Sequence, residues 1–267
     1  NKIPKAISII LLGGIVSAFI GPGIANYSKD IVSEHLYVGS YLSLGILTLV
    51  PAIFFLFYEN ISKLETNIKY SGRSRLELIS QPRFLQALVA SAFGYAIMTF
   101  LMTATPLSMH VMEKMSLSKT GLVIQFHVVA MFLPSLITGI LIKKFGHSNI
   151  MYAGVFLYSI TIVASFFDQT FYNYMFALIF LGLGWNFLFI SGTSLLVLTY
   201  KEDEKFRAQG LNDFIVYSVH AIGSLSAGVL IALTNWKTMN IICIPLMVLI
   251  ILTTLRAEIL SKKNTNN

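Results

Sequence analysis

The chain has 267 residues, of which 55% are hydrophobic and only 12% are charged, and its mean hydropathy is +0.74. This is more apolar surface than a soluble domain of that length needs for its core, so the composition indicates an integral membrane protein. The net charge of +7 comes with no basic, aromatic-interleaved helix, which argues against nucleic-acid binding, and the one cysteine, Cys243, excludes an intrachain disulfide.

Eight stretches without a charged residue follow one another along the chain. Each is close to or above the length of about 20 mostly apolar residues that a spanning helix needs. They are residues 6–28, 36–58, 84–112, 120–142, 145–167, 169–200, 214–236 and 238–255. The sequence therefore predicts an all-α integral membrane protein with eight transmembrane helices.

One long polar segment, residues 59–83, separates the second predicted helix from the third. It carries five basic residues, namely Lys63, Lys69, Arg73, Arg75 and Arg83. If this linker, both termini and the loops at Lys143 and Lys201 share one side of the membrane, that side holds 15 of the 19 Lys and Arg residues. Basic residues concentrate in cytoplasmic loops, so we predict a cytoplasmic linker in a multi-pass protein of the inner (cytoplasmic) membrane.

The first predicted helix contains Gly13, Gly14, Gly21 and Gly23 together with Pro22. Small residues allow close contact between membrane helices, and a proline bends a helix where neighbours can satisfy the freed carbonyl. This run resembles the fifth-helix antiporter signature of the major facilitator superfamily. The signature falls on Ser8, Ser17, Gly21, Pro22, Ala25 and Asn26, of which Asn26 departs from the family pattern.

Two further segments resemble motifs of the same superfamily. Gly139, Lys144 and Gly146 match its short cytoplasmic loop, in which the second glycine allows a tight turn, although Lys143 stands where the family has an acidic residue. The simpler alternative is a pair of basic residues that anchor a helix end. Arg207, in the segment 207–210, resembles another frequent element, and the preceding residues 201–205 are predicted to be a solvated loop of mixed charge.

The resemblance covers the whole chain and implies an architecture. Residues 1–58 would be the last two helices of an N-terminal bundle, 59–83 the linker, 84–258 a complete six-helix C-terminal bundle and 259–267 a cytoplasmic tail. About four helices would be missing before Asn1. The resemblance implies a drug:proton antiporter-like secondary transporter that exports a small molecule by alternating access, with the missing helices, protons and the lipid bilayer as partners and no cofactor.

Polar and aromatic side chains inside the predicted helices are the candidates for substrate contact. Four residues recur at spacings of three to four, which places them on one helical face: Tyr95, Thr99, Met102 and Thr105. A second set lies in the stretch 169–200 and comprises Trp185, Asn186 and Thr193. The alternative for the hydroxyls is a hydrogen bond to their own helix backbone.

A third set indicates a site for proton coupling. Asp213, Tyr217, His220 and Ser224 form a polar stripe that cannot face lipid cheaply. His220 and His127 lie deep in their helices, and a histidine changes charge near neutral pH, so both are candidates together with Asp213. A structural role for each histidine, bonded to one neighbour, is the alternative.

Other functional classes find little support in these helices. A membrane-embedded enzyme would need a concentrated set of acids or of metal-ligating side chains, and a channel would need a filter-like loop. No nucleotide-binding motif is present, so ATP coupling is not expected. A non-transporting remnant or a membrane assembly subunit remains the alternative to a transporter.

Overall fold

The described residues of the chain fold into α-helices and contain no strand. The structure is a computed structural model, and it describes residues 3–32, 37–57 and 72–265. The helices are α1 (Ile3–Ser28), α2 (Val38–Phe55), α3 (Arg75–Ser80), α4 (Pro82–Pro106), α5 (Leu117–Phe132), α6 (Ser135–Phe145), α7 (His147–Ala164), α8 (Phe171–Val197), α9 (Lys205–Leu233), α10 (Trp236–Ile242) and α11 (Ile244–Thr265). A π-helical turn, Leu107–Met112, extends α4.

Five of the described helical segments are long and apolar enough to cross a membrane: α4 with its extension, α7, α8, α9, and α10 with α11. The pair α5 and α6 makes a sixth if it is counted as one span. These helices indicate a multi-pass membrane protein. Helix α2 has 18 residues and is short for a span, so the count of eight membrane helices stays a prediction.

The predicted single helix 120–142 is wrong in one respect, because it is broken. Helices α5 and α6 meet at an angle of 42° between Phe132 and Ser135. Pro134 has no N–H to continue the helical hydrogen bonds, and Leu136 and Ile137 bond instead to the carbonyls of Leu133 and Pro134. Leu133 and Leu136 beside the break are exposed, and the Asn186 side chain of α8 donates to the Met131 carbonyl there. Irregular backbone at membrane depth is tolerated only if such groups satisfy it.

The last helix extends beyond the charge-free stretch 238–255, and the cytoplasmic tail at 259–267 stays a prediction. Helix α10 ends at Ile242, and α11 begins at Ile244 and continues to Thr265. Pro245 lies in the first turn of α11, a position where its missing N–H costs little. The predicted tail residues 259–265 therefore continue the helix.

The end of the predicted linker is ordered. Lys63 and Lys69 lie outside the described residues, but residues 72–83 contain α3 and the start of α4. Helix α3 starts with a capping box in which the Ser74 hydroxyl accepts from the Glu77 N–H and the Glu77 carboxylate accepts from the Ser74 N–H. These bonds to Ser74 lower the pKa of the Glu77 carboxyl. The linker thus ends in a defined helical turn.

An ion pair fixes this linker end to the loop between α8 and α9. Arg73 donates from Nε (2.7 Å) and Nη2 (2.5 Å) to the Glu204 carboxylate, which is 1% exposed. Arg207 donates to the backbone carbonyls of Gly72 and Arg73. The hydrogen bond with Glu204 raises the pKa of the Arg73 guanidinium. The prediction that 201–205 is a solvated loop is therefore wrong for Glu204, which is buried because a distant arginine pairs with it.

Helices α4 and α8 form the centre of the bundle. Helix α4 packs against α8, α9 and α11, and α8 also packs against α5 and α7. Glycines allow these close contacts: a Cβ at Gly182 would lie 2.6 Å from the His127 carbonyl oxygen, and one at Gly192 would lie 2.8 Å from that of Ala87. Larger residues at these two positions would force α8 away from α5 and α4.

Helix α1 packs against α5, and of its glycines Gly14 but not Gly21 makes a close contact. A Cβ at Gly14 would lie 2.9 Å from the ring of Phe132, whereas within the described part of the chain no atom lies within 4 Å of a Cβ at Gly21. Pro22 lies inside α1, one residue further along. The tightest of these glycine contacts between α1 and α5 is therefore made seven residues, or about two turns, before Gly21.

Candidate functional site

Aromatic side chains from three helices meet around Tyr95 of α4. The Tyr95 ring lies 5.6 Å from Trp185 and 5.4 Å from Phe189, both on α8, and 4.4 Å from His220 on α9. Trp185 and Phe189 are stacked, with centroids 5.0 Å apart and ring planes 10° from parallel. We call Tyr95, Trp185, Phe189, Tyr217 and His220 the aromatic cluster. It joins residues that the sequence placed in three separate sets.

The aromatic cluster is partly open. The Trp185 side chain is buried, with 6% of its surface exposed, whereas Tyr217 is 60% exposed. Planar side chains held side by side in this way offer stacking surfaces to a planar ligand, and such pairs prefer offset or tilted geometries. The cluster therefore combines a buried ring, Trp185, with an exposed ring, Tyr217.

Two polar atoms beside this cluster have no hydrogen-bond partner among the described residues. They are Nε1 of Trp185 and the hydroxyl oxygen of Thr99, which lies one turn after Tyr95 on α4. Both side chains are at least nine-tenths buried. An unsatisfied buried donor costs about 1–3 kcal/mol, so such groups are usually paired with a ligand or water. Each is therefore a buried polar atom for which water or a ligand would supply the partner.

Phe132 closes one side of the aromatic cluster and was not among the predicted residues. Its ring meets Trp185 edge to face at 5.9 Å and packs against Gly14 of α1. It is the last residue of α5 before the break, so its direction depends on how the helix ends. No sequence pattern indicates that direction.

Asn186 has a structural position and does not point to a ligand. Its side-chain nitrogen donates to the Met131 carbonyl (2.6 Å) and to the Ser135 hydroxyl (2.5 Å), and its oxygen accepts from Thr138 (2.6 Å). These partners lie on both sides of the break between α5 and α6. Asn186 therefore holds the break together from α8.

The remaining predicted substrate residues lie within the helix packing. The Thr105 hydroxyl donates to the Leu101 carbonyl and that of Thr193 to the Phe189 carbonyl, which is the backbone alternative considered above. Met102 is partly buried against the hydrophobic core. Of the predicted substrate set, the structure brings Tyr95 and Trp185 together, with Thr99 one turn away.

The three candidates for proton coupling have different surroundings. His220 lies in the aromatic cluster, with Tyr95 and Tyr217 as its ring neighbours. Asp213 is exposed on the same helix and accepts a hydrogen bond from Asn212. His127 is fully buried and donates from Nδ1 to the Leu178 carbonyl at 2.8 Å, since a carbonyl can only accept. His127 thus connects α5 to α8.

The family-motif residues lie at the end of the bundle near the linker. Gly146 makes the turn between α6 and α7 with a φ of 83°, which favours glycine. Lys144 is exposed in the last turn of α6, where a cation interacts favourably with the helix dipole. Gly139 is exposed, and a Cβ built there would meet no other described residue within 4 Å. Arg207 donates to the backbone carbonyls of Gly72 and Arg73 at the end of the linker.

Comparison with known proteins identifies the family. The family model of the Major Facilitator Superfamily matches residues 92–266. Over 249 residues the chain is 36% identical to the riboflavin transporter RfnT of Brucella anthropi, an alignment that covers 92% of this chain and 62% of that protein. Over 254 residues it is 27% identical to YddS of Bacillus subtilis, an uncharacterized MFS-type transporter, with 88% and 58% covered. The chain thus spans about six tenths of the length of these relatives. Since the family model matches well over half of its residues, the chain belongs to the Major Facilitator Superfamily.

Proposed function

We propose that this chain is part of a secondary transporter that moves a planar aromatic small molecule across the cytoplasmic membrane by alternating access. The observation that carries the proposal is the aromatic cluster, in which stacked Trp185 and Phe189 adjoin the tilted pair of Tyr95 and His220. Ligand sites are mostly apolar and aromatic with a few polar groups that fix orientation, and this composition matches the cluster.

A flavin is the substrate class that we propose. One relative is named as a riboflavin transporter. The isoalloxazine ring of a flavin is planar and carries carbonyl oxygens and ring nitrogens along its edge. Trp185 and Phe189 suit the ring face, while Trp185 Nε1 and the Thr99 hydroxyl, neither of which has a partner among the residues that the structure describes, suit the edge. Stacking gives affinity, and the edge hydrogen bonds give selectivity.

We propose that further helices of the same transporter complete the site. Helix α9 has little of its surface buried, and its exposed apolar side chains include Phe214, Ile222, Leu225 and Val229. Such a surface suits a neighbouring helix or lipid. The relatives are longer than this chain, which supports a second bundle that faces the aromatic cluster across the substrate path.

The experiment that tests the proposal is flavin exchange. The complete coding sequence that contains this chain is expressed, and the protein is reconstituted in vesicles loaded with unlabelled riboflavin. We expect saturable uptake of labelled riboflavin by counterflow, and no exchange of ribitol, which lacks the ring system. No exchange above empty vesicles would contradict transport of a flavin and favour the alternative of a non-transporting remnant or assembly subunit.

Proton-coupled efflux stays a prediction, and His220 is the residue that tests it. His220→Gln keeps a hydrogen-bonding side chain but cannot titrate, so we expect the variant to fold while the dependence of its transport rate on pH is lost. His127→Gln, on a buried histidine outside the cluster, is the control and keeps the pH profile. If His220→Gln retains the profile of the parent, then His220 is structural, and Asp213→Asn becomes the next variant to measure.

A further inference from the structure

A cavity of about 480 Å³ lies at the linker end of the bundle, apart from the aromatic cluster. It is bounded by the starts of α4 and α7 and by the ends of α8 and α11. Its polar lining comprises Arg83, His147, Ser148, Asn149, Thr199 and Glu258, and its apolar walls include Leu195 and Leu198. The proposed transport mechanism makes no use of it.

Two opposite charges line this cavity without pairing. Arg83 donates only from Nη1, to Gln86 (3.0 Å) and Ser148 (3.4 Å), which leaves Nε and Nη2 without a partner among the described residues. Among the described residues Glu258 accepts only from the Tyr152 hydroxyl, at Oε2 (3.2 Å), which leaves Oε1 available. The described ion pairs do not include Arg83 with Glu258. The cavity therefore presents a cation and an anion that are each held in place and each have bonding capacity left.

The cationic wall is suited to a phosphate. A guanidinium binds phosphate oxygens through parallel N–H donors, and Arg83 has two adjacent nitrogens to offer. Arg83 is oriented by Gln86, which is fully buried and itself bonds to Ser148 at 2.9 Å. Helix α7 begins beside Arg83, and no side chain caps its first N–H groups. These groups add donors next to the arginine.

The Glu258 carboxylate, on the other side of the cavity lining, limits which phosphate compounds can bind. A carboxylate in the same cavity repels a ligand that carries only negative charge, whereas it attracts an ammonium group. An ammonium with N–H donors can also bond to Glu258 Oε1, which a quaternary ammonium cannot do. The two walls together therefore select a zwitterion with a phosphate at one end and a primary ammonium at the other.

We propose that this cavity binds a phosphoethanolamine group, with the phosphate at Arg83 and the ammonium at Glu258. The group can come from the headgroup of a membrane phospholipid or from a free phosphoethanolamine ester. Exposed Lys143, Lys144, Arg256 and Lys262 lie at the same end of the helices, where the polar headgroups of a bilayer meet a membrane protein. The site is separate from the substrate path and does not depend on the identity of the transported molecule.

Native mass spectrometry of the purified, delipidated protein tests this proposal. The probes are phosphatidylethanolamine, phosphatidylcholine and phosphatidylglycerol with identical acyl chains, and soluble phosphoethanolamine and inorganic phosphate as competitors. We expect phosphatidylethanolamine to bind at least tenfold more tightly than the other two lipids. If soluble phosphoethanolamine displaces the bound lipid, the site also binds the free ester. If the lipid stays bound in its presence, the site is specific for the lipid. Equal binding of phosphatidylethanolamine and phosphatidylcholine would overturn the proposal.

Charge variants give the sharper result. Glu258→Gln removes the anion, so we expect the preference to reverse towards phosphatidylglycerol. We expect Arg83→Gln to bind phosphatidylethanolamine and phosphatidylglycerol at least tenfold more weakly than the parent. Arg83→Lys should keep part of this affinity, which would show that the fold is intact. Arg256→Gln, an exposed cation of α11 that does not line the cavity, is the control. The proposed site is contradicted if Glu258→Gln leaves the ratio of phosphatidylethanolamine to phosphatidylglycerol affinity unchanged and Arg83→Gln leaves both affinities unchanged.

Discussion

We expect Trp185→Ala to lower flavin transport about 100-fold. The substitution removes the ring that stacks on Phe189 at 5.0 Å and contacts Tyr95 and Phe132, and it removes the unpartnered Nε1 donor. Stacking on an aromatic side chain is worth about 1–3 kcal/mol per nucleic-acid base, and a lost hydrogen bond adds about 1 kcal/mol. A total of about 3 kcal/mol corresponds to about two factors of ten. Riboflavin counterflow, normalised to folded protein, measures the loss.

Two further variants of α8 separate ligand contact from general packing. Trp185→Phe keeps a ring but loses the donor, so we expect a decrease of about tenfold, in line with one hydrogen bond of about 1.4 kcal/mol. Phe176→Ala removes an aromatic ring on the same helix that is 49% exposed and belongs to no part of the cluster, and we expect transport within about twofold of the parent. Equal losses in Phe176→Ala and Trp185→Ala would show that the cluster does not contact the substrate.

The largest expected effect on stability comes from Asn186→Leu. Leucine has a similar volume but cannot bond to Met131, Ser135 and Thr138, so the break between α5 and α6 loses all three bonds that α8 provides. Hydrogen bonds between membrane helices average about 0.6 kcal/mol and reach about 1.7 kcal/mol. Because Met131 also keeps a buried, unsatisfied carbonyl, we expect a loss of about 2–3 kcal/mol in the free energy of unfolding.

The matched control for this variant is Thr193→Val on the same helix. Its hydroxyl bonds only within α8, to the Phe189 and Ile190 carbonyls, and those carbonyls retain their helical partners. We expect a change below about 0.5 kcal/mol. Denaturant unfolding in detergent micelles gives both values. If the two variants lose equal stability, the Asn186 amide does not stabilise the break.

Hydropathy and helical periodicity predicted much of this architecture. The stretches that became α4, α7, α8 and α9 are visible as charge-free runs, and Tyr217 and His220, which helical spacing places on one face, both contact Tyr95. Both results follow from local rules, since a spanning length and a helical face depend only on nearby residues. The prediction of an all-α membrane protein is confirmed on the same grounds.

The parts that could not be predicted depend on contacts between helices. Pro134 is evident in the sequence, but the groups that hold the chain at the break are not, since Asn186, about 50 residues later, donates to the Met131 carbonyl and the Ser135 hydroxyl. The glycines of α1 are equally evident, yet only the structure shows that Gly14 and not Gly21 meets a neighbour. The sequence predicted that Glu204 is solvated, because its partner Arg73 lies 131 residues earlier and local charge patterns do not reveal it. In each instance the deciding side chain lies on another element.

The pairing of Arg73 with Glu204 also has a consequence for the order in which the chain assembles. The two residues are 131 positions apart, so at a synthesis rate of about 5–20 residues per second Glu204 emerges roughly 7–26 s after Arg73. Until then α3 has no partner on the α8–α9 loop, and the helices from α4 to α8 are all synthesised between the two residues. Closure of this ion pair is therefore a late event of biogenesis, and a nascent chain stalled before residue 204 would leave the linker end accessible to a protease that cannot cut it in the finished protein.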